Sequence, residues 1–400
     1  MSAFDVLQER GFVKQFTAGA RELLDAEQVT FYVGFDPTGD SLHVGHLLPV
    51  MAMAHLQRAG HRPIAVVGGG TAMVGDPSGK DEMRKLITSE QIEHNKGCLK
   101  QQLGLLLEFD GAAGGMLIDN ADWLLKLNYI EFLRDIGSQF SVNQMLGKAS
   151  VKTRLEKGLS FIEFNYQILQ AYDFLVLADR NNCLLQMGGD DQWGNITAGV
   201  DLVRRKLGKE AHGLTFPLLT RSDGKKMGKT EKGAVWLDPA KMSPYDYFQY
   251  WINVDDRDVG KLLAIFTFLP MSRVRELESL RGAEVREAKR ELAFHATAVV
   301  HGETEAQKAS EGARAAFSGG GAVAALPTLE VSFPVSIVDA LVASKLCKSN
   351  SDARRQIKGG AVKTGLDRKT GVTDHELCLD EPTVIWRGKK NAVRLARREG

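Results

Sequence analysis

Three short stretches of the chain are mostly apolar: VTFYVGF (Val29–Phe35), RPIAVVGGG (Arg62–Gly70) and CLLQMGG (Cys183–Gly189). Apolar runs of this length, the last two closed by glycines, are the pattern of strands buried on both faces of a parallel sheet. Segments with helical spacing separate them, so residues up to about Leu219 predict an α/β sheet structure. From Pro244 to about Phe317 the pattern becomes helical, in a stretch rich in Arg, Glu and Ala. SGGGAVAALP (Ser318–Pro327) has the composition of a linker. Beyond it, SIVDALVASKL and SNSDARRQIKGG predict two short helices. The second opens at Ser349 or Ser351 and stops at Gly359–Gly360, and short strands should follow.

One predicted helix is apolar around most of its circumference and should be buried: FIEFNYQILQAYDFLVL (Phe161–Leu177). Tyr166, Gln170 and Asp173 nevertheless recur at i, i+4 and i+7 and fall on one stripe. Buried polar groups of this kind must be satisfied within the protein or face a pocket. Glu163 lies near the stripe and the pattern gives it no role.

In open parallel sheets ligands bind beyond the carboxyl ends of the strands. Four such ends are unusually polar or glycine-rich: GFDPTGD, GGGTAMVGDPSGK, QMGGDDQWGN and the loop after TFPLLT. In FDPTGDSLHVGH (Phe35–His46), Pro37 and Gly39 break the strand and Asp40 or Ser41 can cap a helix. His43 and His46 then share a face of its first turns. Free amides and the helix dipole favour an anion there, and imidazole donors can follow phosphate oxygens. Two surface histidines or part of a metal site are the alternatives; no third ligand is near and no HExxH spacing is present. GGGTAMVGDPSGK lacks the GxxxxGK[ST] spacing of a P-loop. Its Asp76 either holds a substrate cation or is a turn aspartate ahead of Pro77, and Lys80 and Arg84 are available to phosphates. TRSDGKKMGKTEKG (Thr220–Gly233) predicts a mobile loop. It is either a solvated charge run or a lysine pair, Lys226 and Lys229, that closes over a triphosphate.

Composition narrows the class. At 400 residues, 44% hydrophobic and 25% charged, the chain reads as an ordinary soluble protein of two or three domains. No apolar run approaches a membrane span, and MSAFDVLQERGF has neither the basic nor the apolar part of a signal peptide. Cys98, Cys183, Cys347 and Cys378 form no CxxC pair, which points to a reducing cytosol and away from zinc or disulfides. The formal charge of +1 hides an asymmetry: Ser332–Gly400 holds 14 Lys and Arg against 8 Asp and Glu, leaving 37 against 42 elsewhere. A basic module on a mildly acidic body suits a polyanionic partner.

Together these motifs resemble the bacterial tyrosyl-tRNA synthetases, which are class I aminoacyl-tRNA synthetases. HVGH (His43–His46) is similar to the family's HIGH signature and KMGKT (Lys226–Thr230) to its KMSKS signature. YVGFDPT, GDPSGK, NYQILQAYD and GGDDQWGNIT resemble stretches special to the tyrosine enzymes, and the basic tail resembles an S4-like RNA-binding domain. The resemblance implies a Rossmann-like parallel-sheet catalytic domain (1–220, with a dimer-forming insertion near 110–160). A loop and connector (221–243), an α-helical anticodon-side domain (244–317), a linker (318–331) and a small α+β S4-like domain (332–400) would follow.

It further implies that L-tyrosine is activated by ATP to tyrosyl-adenylate and pyrophosphate, then passed to the terminal adenosine of tRNA(Tyr). His43, His46, Lys226, Lys229, Thr230, Lys80 and Arg84 would serve the phosphates. Gly34, Asp36, Thr38, Gly188, Asp191 and Gln192 would line the ATP and adenylate site. Tyr32 and Asp173 would hold the phenol, and Asp76, Tyr166 and Gln170 the ammonium group. Arg354, Arg355 and Lys358 would grip RNA. Mg2+ would ride on the ATP phosphates, with no protein-bound metal or organic cofactor. A homodimer in the cytoplasm, with no membrane or DNA partner, is expected. Gly228 and Thr230 replace the two serines of KMSKS, and the glycine is expected to loosen the closing loop. The rivals are a tryptophanyl-tRNA synthetase, against which the Tyr32/Asp173 pair and the tail speak, and an RNA-binding or splicing protein on the same fold, which would not need HVGH and KMGKT. A generic nucleotidylyltransferase would not need the basic tail.

Overall fold

A computed structural model describes residues 2–78, 87–111, 114–148, 151–152, 155–156, 158–224, 227–230, 233–318, 326–365, 370–388 and 391–398. The chain forms two compact units, Met1–Asp238 with Arg257–Ser279, and Pro239–Asp256 with Leu280–Gly400.

The first unit is built on a six-stranded sheet. Its strands are β1 (Gln15–Phe16), β2 (Thr30–Phe35), β3 (Arg62–Val67), β4 (Met116–Asp119), β5 (Cys183–Gly189) and β6 (His212–Phe216), in spatial order β1-β6-β5-β2-β3-β4. All neighbours are parallel except β1, which runs antiparallel to β6 at the edge. The apolar runs form central strands because both sheet faces are covered: five of the six β3 residues and all of β6 are buried. From β2 the chain winds outward through β3 to β4, then returns through β5 to β6 on the other side. The order therefore reverses between β2 and β5, and the crevice of an α/β sheet opens there.

The glycine run after β3 lies outside the strand. A Cβ on Gly68 would collide with the side chains of Asp36 and Thr71, one on Gly69 with Asp119, and one on Gly70 would crowd Leu124. These glycines let neighbouring strand ends converge. The buried helix runs Phe161–Asn181, and Glu163 closes a capping box with Ser160, its Oε2 accepting from the Ser160 amide at 3.1 Å. Glu163 is thus part of the helix start.

The helical stretch expected as one domain is shared between the two units. Val259–Phe266 and Met271–Ser279 belong to the first. Arg10 holds them there: its guanidinium donates to the carbonyls of Ala264 at 2.9 Å, Thr267 at 3.1 Å and Leu269 at 2.6 Å. Arg58 lies 3.3 Å over the Phe268 ring. Also in the first unit, β7 (Lys229–Thr230) and β8 (Gly233–Ala234) form a small antiparallel pair.

The second unit contains the helices Pro244–Ile252, Val285–His301 and Glu303–Ser318. Its C-terminal part has strands β9 (Thr328–Val331), β10 (Val335–Ser336), β11 (Val362–Thr364), β12 (Thr370–Gly371), β13 (Cys378–Leu379), β14 (Val384–Arg387) and β15 (Asn391–Arg397). Five of these form a sheet in the order β12-β11-β14-β15-β9. The helices Ile337–Ala343 and Asn350–Lys358 open at Ser336 and Ser349, which accept N-cap bonds from Val338 and Asp352. Their apolar faces meet the sheet in a core that includes Leu341, Ile357, Ile385 and Leu395.

Candidate active site

The FDPTGDSLHVGH turn leaves β2 where the strand order reverses, and the helix Val44–Arg58 begins at its end. The N-cap is His43, in extended backbone (φ −131°, ψ 171°), rather than Asp40 or Ser41. Ser41 is engaged elsewhere: its hydroxyl donates to the Leu42 carbonyl at 2.8 Å and accepts from the Asp238 amide at 3.3 Å. His43 Nδ1 accepts from the Gly45 amide at 3.0 Å, and His46 Nδ1 accepts from the His43 amide at 3.3 Å. The two imidazoles form a reciprocal capping box, with ring centroids 3.9 Å apart and planes at 9°.

The helix amides expected to receive an anion are already used. Val44 N–H donates to the Val235 carbonyl, Gly45 N–H to His43 Nδ1, and the His46 and Leu47 amides to the His43 carbonyl. What the helix end offers a phosphate is its dipole and its imidazoles. A neutral imidazole that accepts at Nδ1 carries its proton on Nε2, so His43 presents a donor on the far side of its ring.

Tyr166 and Asp173, on the polar stripe of the Phe161–Asn181 helix, meet partners from other elements. Tyr166 Oη donates to Asp36 Oδ2 at 2.9 Å, and Asp36 Oδ1 accepts from Thr71 Oγ1 at 2.8 Å. Asp173, 4% exposed, accepts from Trp123 Nε1 at 2.7 Å and from Asn120 Nδ2 at 2.9 Å. The Asn120 amide cannot turn round, because its Oδ1 accepts from the Gly70 amide at 2.8 Å. Tyr32 packs on Phe174 with ring centroids 5.5 Å apart, and its buried hydroxyl has no hydrogen-bond partner among the described residues. Burial lifts the Asp173 carboxyl to about 7; the Asn120 and Trp123 donors oppose the rise and the charges of Asp36 and Asp119 add to it. Burial also raises the Tyr32 phenol, and the Asp173 charge raises it further.

In the middle of the stripe, Gln170 Oε1 accepts from Asn195 Nδ2 at 3.0 Å, as does Gln192 Oε1. Gln192 Nε2 donates to Asp76 Oδ2 at 2.7 Å, and Asp76 Oδ1 accepts from the Ser78 amide at 2.9 Å. Asp76 is thus the turn aspartate ahead of Pro77, joined through Gln192 to the end of β5. Burial raises it to about 6, with the Ser78 backbone bond opposing and Asp36 reinforcing the shift. Gly34, Asp36 and Thr38 stand at the end of β2; Gly188, Asp191 and Gln192 at the end of β5. Asp190, beside them, accepts from Gln15 at 2.6 Å and Thr215 at 2.9 Å, fixing that loop to the sheet edge.

Lys80, Arg84 and Lys226 lie outside the described residues, and Lys229 and Thr230 are described by their backbone in β7. The loop that carries them is tied at both ends. Met227 N–H donates to the Leu219 carbonyl at 2.8 Å and Val235 N–H to the Gly228 carbonyl at 2.9 Å. Gly228 has φ +85°, and a Cβ on it would lie 3.5 Å from the Gly45 nitrogen. The glycine therefore suits a left-handed residue seated against the histidine turn, where serine would be strained. In the second unit, Arg354, Arg355 and Lys358 are exposed on the helix Asn350–Lys358, with Arg355 paired to Asp352 at 2.6 Å.

Sequence reasoning missed Thr71, Asn120, Trp123 and Asn195. Asn120 and Trp123 stand in IDNADW, another polar strand end, directly after β4. That was the available signal.

The family model for class I tRNA synthetases of tryptophan and tyrosine matches residues 24–318, and a tyrosine--tRNA ligase SYY-like C-terminal domain matches 321–394. The chain is 54% identical to a tyrosine--tRNA ligase of Clostridium botulinum over 98% of its own length and 99% of the relative's. It is 52% identical to that of Caldanaerobacter subterraneus over the full length of both. A C-terminally truncated mitochondrial tyrosyl-tRNA synthetase from Aspergillus nidulans superposes with a TM-score of 0.71 at 30% identity, covering 78% of this chain and 93% of that one. With its parallel-sheet crevice, histidine turn and C-terminal module in that family's order, the chain belongs to the tyrosyl-tRNA synthetases, the class I ligases that use ATP to join tyrosine to tRNA.

Proposed function

We propose that the Tyr32–Asp173 end of the crevice takes the substrate phenol, the Asp76–Tyr166–Gln170 end its ammonium group, and the histidine turn the triphosphate. One observation carries this reading: a buried hydroxyl lacking a partner among the described residues feels the charge of a buried carboxylate held by two fixed donors. A tyrosine hydroxyl can accept from the first and donate to the second. An unsatisfied buried group of this kind costs about 1–3 kcal/mol, which the ligand recovers. Tyr166 gives its proton to Asp36, so its oxygen can accept from an ammonium.

The reaction needs no general base. The carboxylate of tyrosine is already ionised and attacks the α-phosphate of ATP in line, expelling pyrophosphate with Mg2+ on the substrate phosphates. Positioning and donors toward the new charge are the levers, and His43, His46, Lys226, Lys229 and Thr230, with Lys80 and Arg84, are the candidates. Gly34, Asp36, Thr38, Gly188, Asp191 and Gln192 line the adenylate. A hydroxyl of the terminal adenosine of tRNA(Tyr) then takes the tyrosyl group. The S4-like module grips the tRNA through Arg354, Arg355 and Lys358.

The working form is a homodimer in the cytosol. Tyr129, Ile130, Val142, Leu155 and Phe161 are each more than half exposed, an apolar surface that a second copy would cover. Tyrosine-dependent exchange of pyrophosphate into ATP, run beside tryptophan and phenylalanine, tests the pocket. Equal exchange with phenylalanine would defeat the phenol assignment.

A further inference from the structure

The loop that follows the histidine turn in space is joined to it by backbone. His43 and Trp236 form an antiparallel bridge, flanked by Val44 N–H to the Val235 carbonyl and Leu237 N–H to the Leu42 carbonyl, both at 2.9 Å. Bonds on either side of a pair, rather than within it, mark the non-hydrogen-bonded type, in which side chains lie closest together. The Trp236 and His43 rings accordingly stand with centroids 6.1 Å apart and planes at 51°. On its other side His43 stacks on His46 at 3.9 Å. The His43 ring is therefore bounded by a capping bond, a stacked imidazole and an indole.

The same bridge is the fixed end of the β7–β8 hairpin. Val235 receives Val44 and donates to Gly228, whose left-handed backbone abuts Gly45.

We propose that Trp236 is a positioning residue for adenylate formation: as the cross-strand neighbour of His43 it holds that imidazole toward the ATP phosphates. This rests on reading His43 as a phosphate-contacting group. Indole-sized packing is what matters, so an aromatic replacement should retain the function and a truncation should not.

The test is a double-mutant cycle on the full-length enzyme with Trp236→Ala, Trp236→Phe, His43→Gly and Trp236→Ala/His43→Gly. It is read by tyrosine-dependent pyrophosphate exchange and by equilibrium binding of tyrosine. Trp236→Ala should lower kcat about 10- to 100-fold, the loss typical of a misplaced catalytic group, with tyrosine affinity unchanged. Trp236→Phe should stay within about threefold of the parent, and the double variant should be no slower than His43→Gly alone. Multiplying losses in the double variant would overturn the inference, as would weakened tyrosine binding in Trp236→Ala. A His43→Gly enzyme with parental kcat would overturn the underlying reading of His43 instead.

Discussion

Trp123→Phe removes one donor from Asp173 while keeping most of an aromatic ring in place. The bond it removes is 2.7 Å long and reaches a buried carboxylate. Hydrogen bonds to charged groups are worth about 1.5–3 kcal/mol, so losing this one should raise the Asp173 pKa by about one to two units. The parent value is about 7. A substrate phenol that donates to Asp173 needs the ionised form, and kcat/KM for tyrosine follows the ionised fraction of the free enzyme. In the parent, kcat/KM should climb about tenfold per pH unit and flatten near 7, whereas in the variant the climb should continue for about one to two further units. At about pH 7.5 the variant should then be roughly 3- to 30-fold slower, and near pH 9 the gap should largely close. Pyrophosphate exchange at limiting tyrosine, across that range, measures it. Stability without ligand has a definite sign as well. Because the folded pKa is raised from 3.8 to about 7, the contribution of Asp173 is full at acid pH and lost as pH rises through 7. The variant should match the parent most closely in acid and fall behind above neutrality. An equal loss of kcat/KM at every pH would refute the reasoning and assign the effect to ring packing.

Gly228→Ser, which writes the family serine into a residue at φ +85°, should cost this loop conformation about 1 kcal/mol. Hydrogen exchange at the Val235 amide, bonded to the Gly228 carbonyl, should quicken about fivefold; unchanged exchange would mean the backbone relaxes freely. Truncation before Ser332 should leave tyrosine-dependent pyrophosphate exchange intact and weaken tRNA charging, with a shallower salt dependence of tRNA binding than the full chain. Charging at parental affinity would remove the tail from RNA recognition. Ile130→Asp puts a charge on an exposed apolar surface and should convert a dimer to a monomer by light scattering; an unaffected mass would move the interface elsewhere.

The central strands were legible because parallel strands are covered on both faces and so read as apolar runs; Cys183–Gly189 is a strand throughout, the first begins one residue late at Thr30, and the second stops three residues early at Val67, where glycines admit neighbouring side chains. The polar stripe was legible for an equally local reason, since Tyr166, Gln170 and Asp173 share one helix. Its partners were not. Asn120 and Trp123 reach Asp173 from about fifty positions earlier, brought there by the β3–β4 register that pairs Val67 with Asp119. No periodicity encodes that pairing. The helix cap was misread because Asp and Ser are the stronger intrinsic caps. Here the bridge between residues 42–44 and 235–237 keeps the backbone extended up to His43, and a tertiary contact decides where the helix starts. Residues 257–279 read as helical like the stretch on either side of them. Contacts from distant parts of the chain, Arg10 to three carbonyls, Arg58 over Phe268 and Asp258 to the Ser222 amide among them, assign them to the first unit.

On the proposed pocket, selectivity for tyrosine would follow from how little this network can rearrange. If phenylalanine entered, Asp173 could not turn from its donors, because Trp123 has a single N–H and the Asn120 amide is held by Gly70. Asn120 could not follow either, since its Nδ2 also donates to Thr71 at 3.0 Å, which in turn donates to Asp36. Asp36 is committed to Tyr166, at the opposite end of the proposed amino-acid pocket. A phenyl ring beside Tyr32 and Asp173 returns no hydrogen bond. The Tyr32 hydroxyl left unpaired costs about 1–3 kcal/mol, Asp173 forgoes a third donor, and the network has no slack through which to recover either. On the proposed placement, rigidity running from one end of the substrate to the other would be the source of discrimination, and loosening Asn120 should erode it even though Asn120 itself need not touch the amino acid.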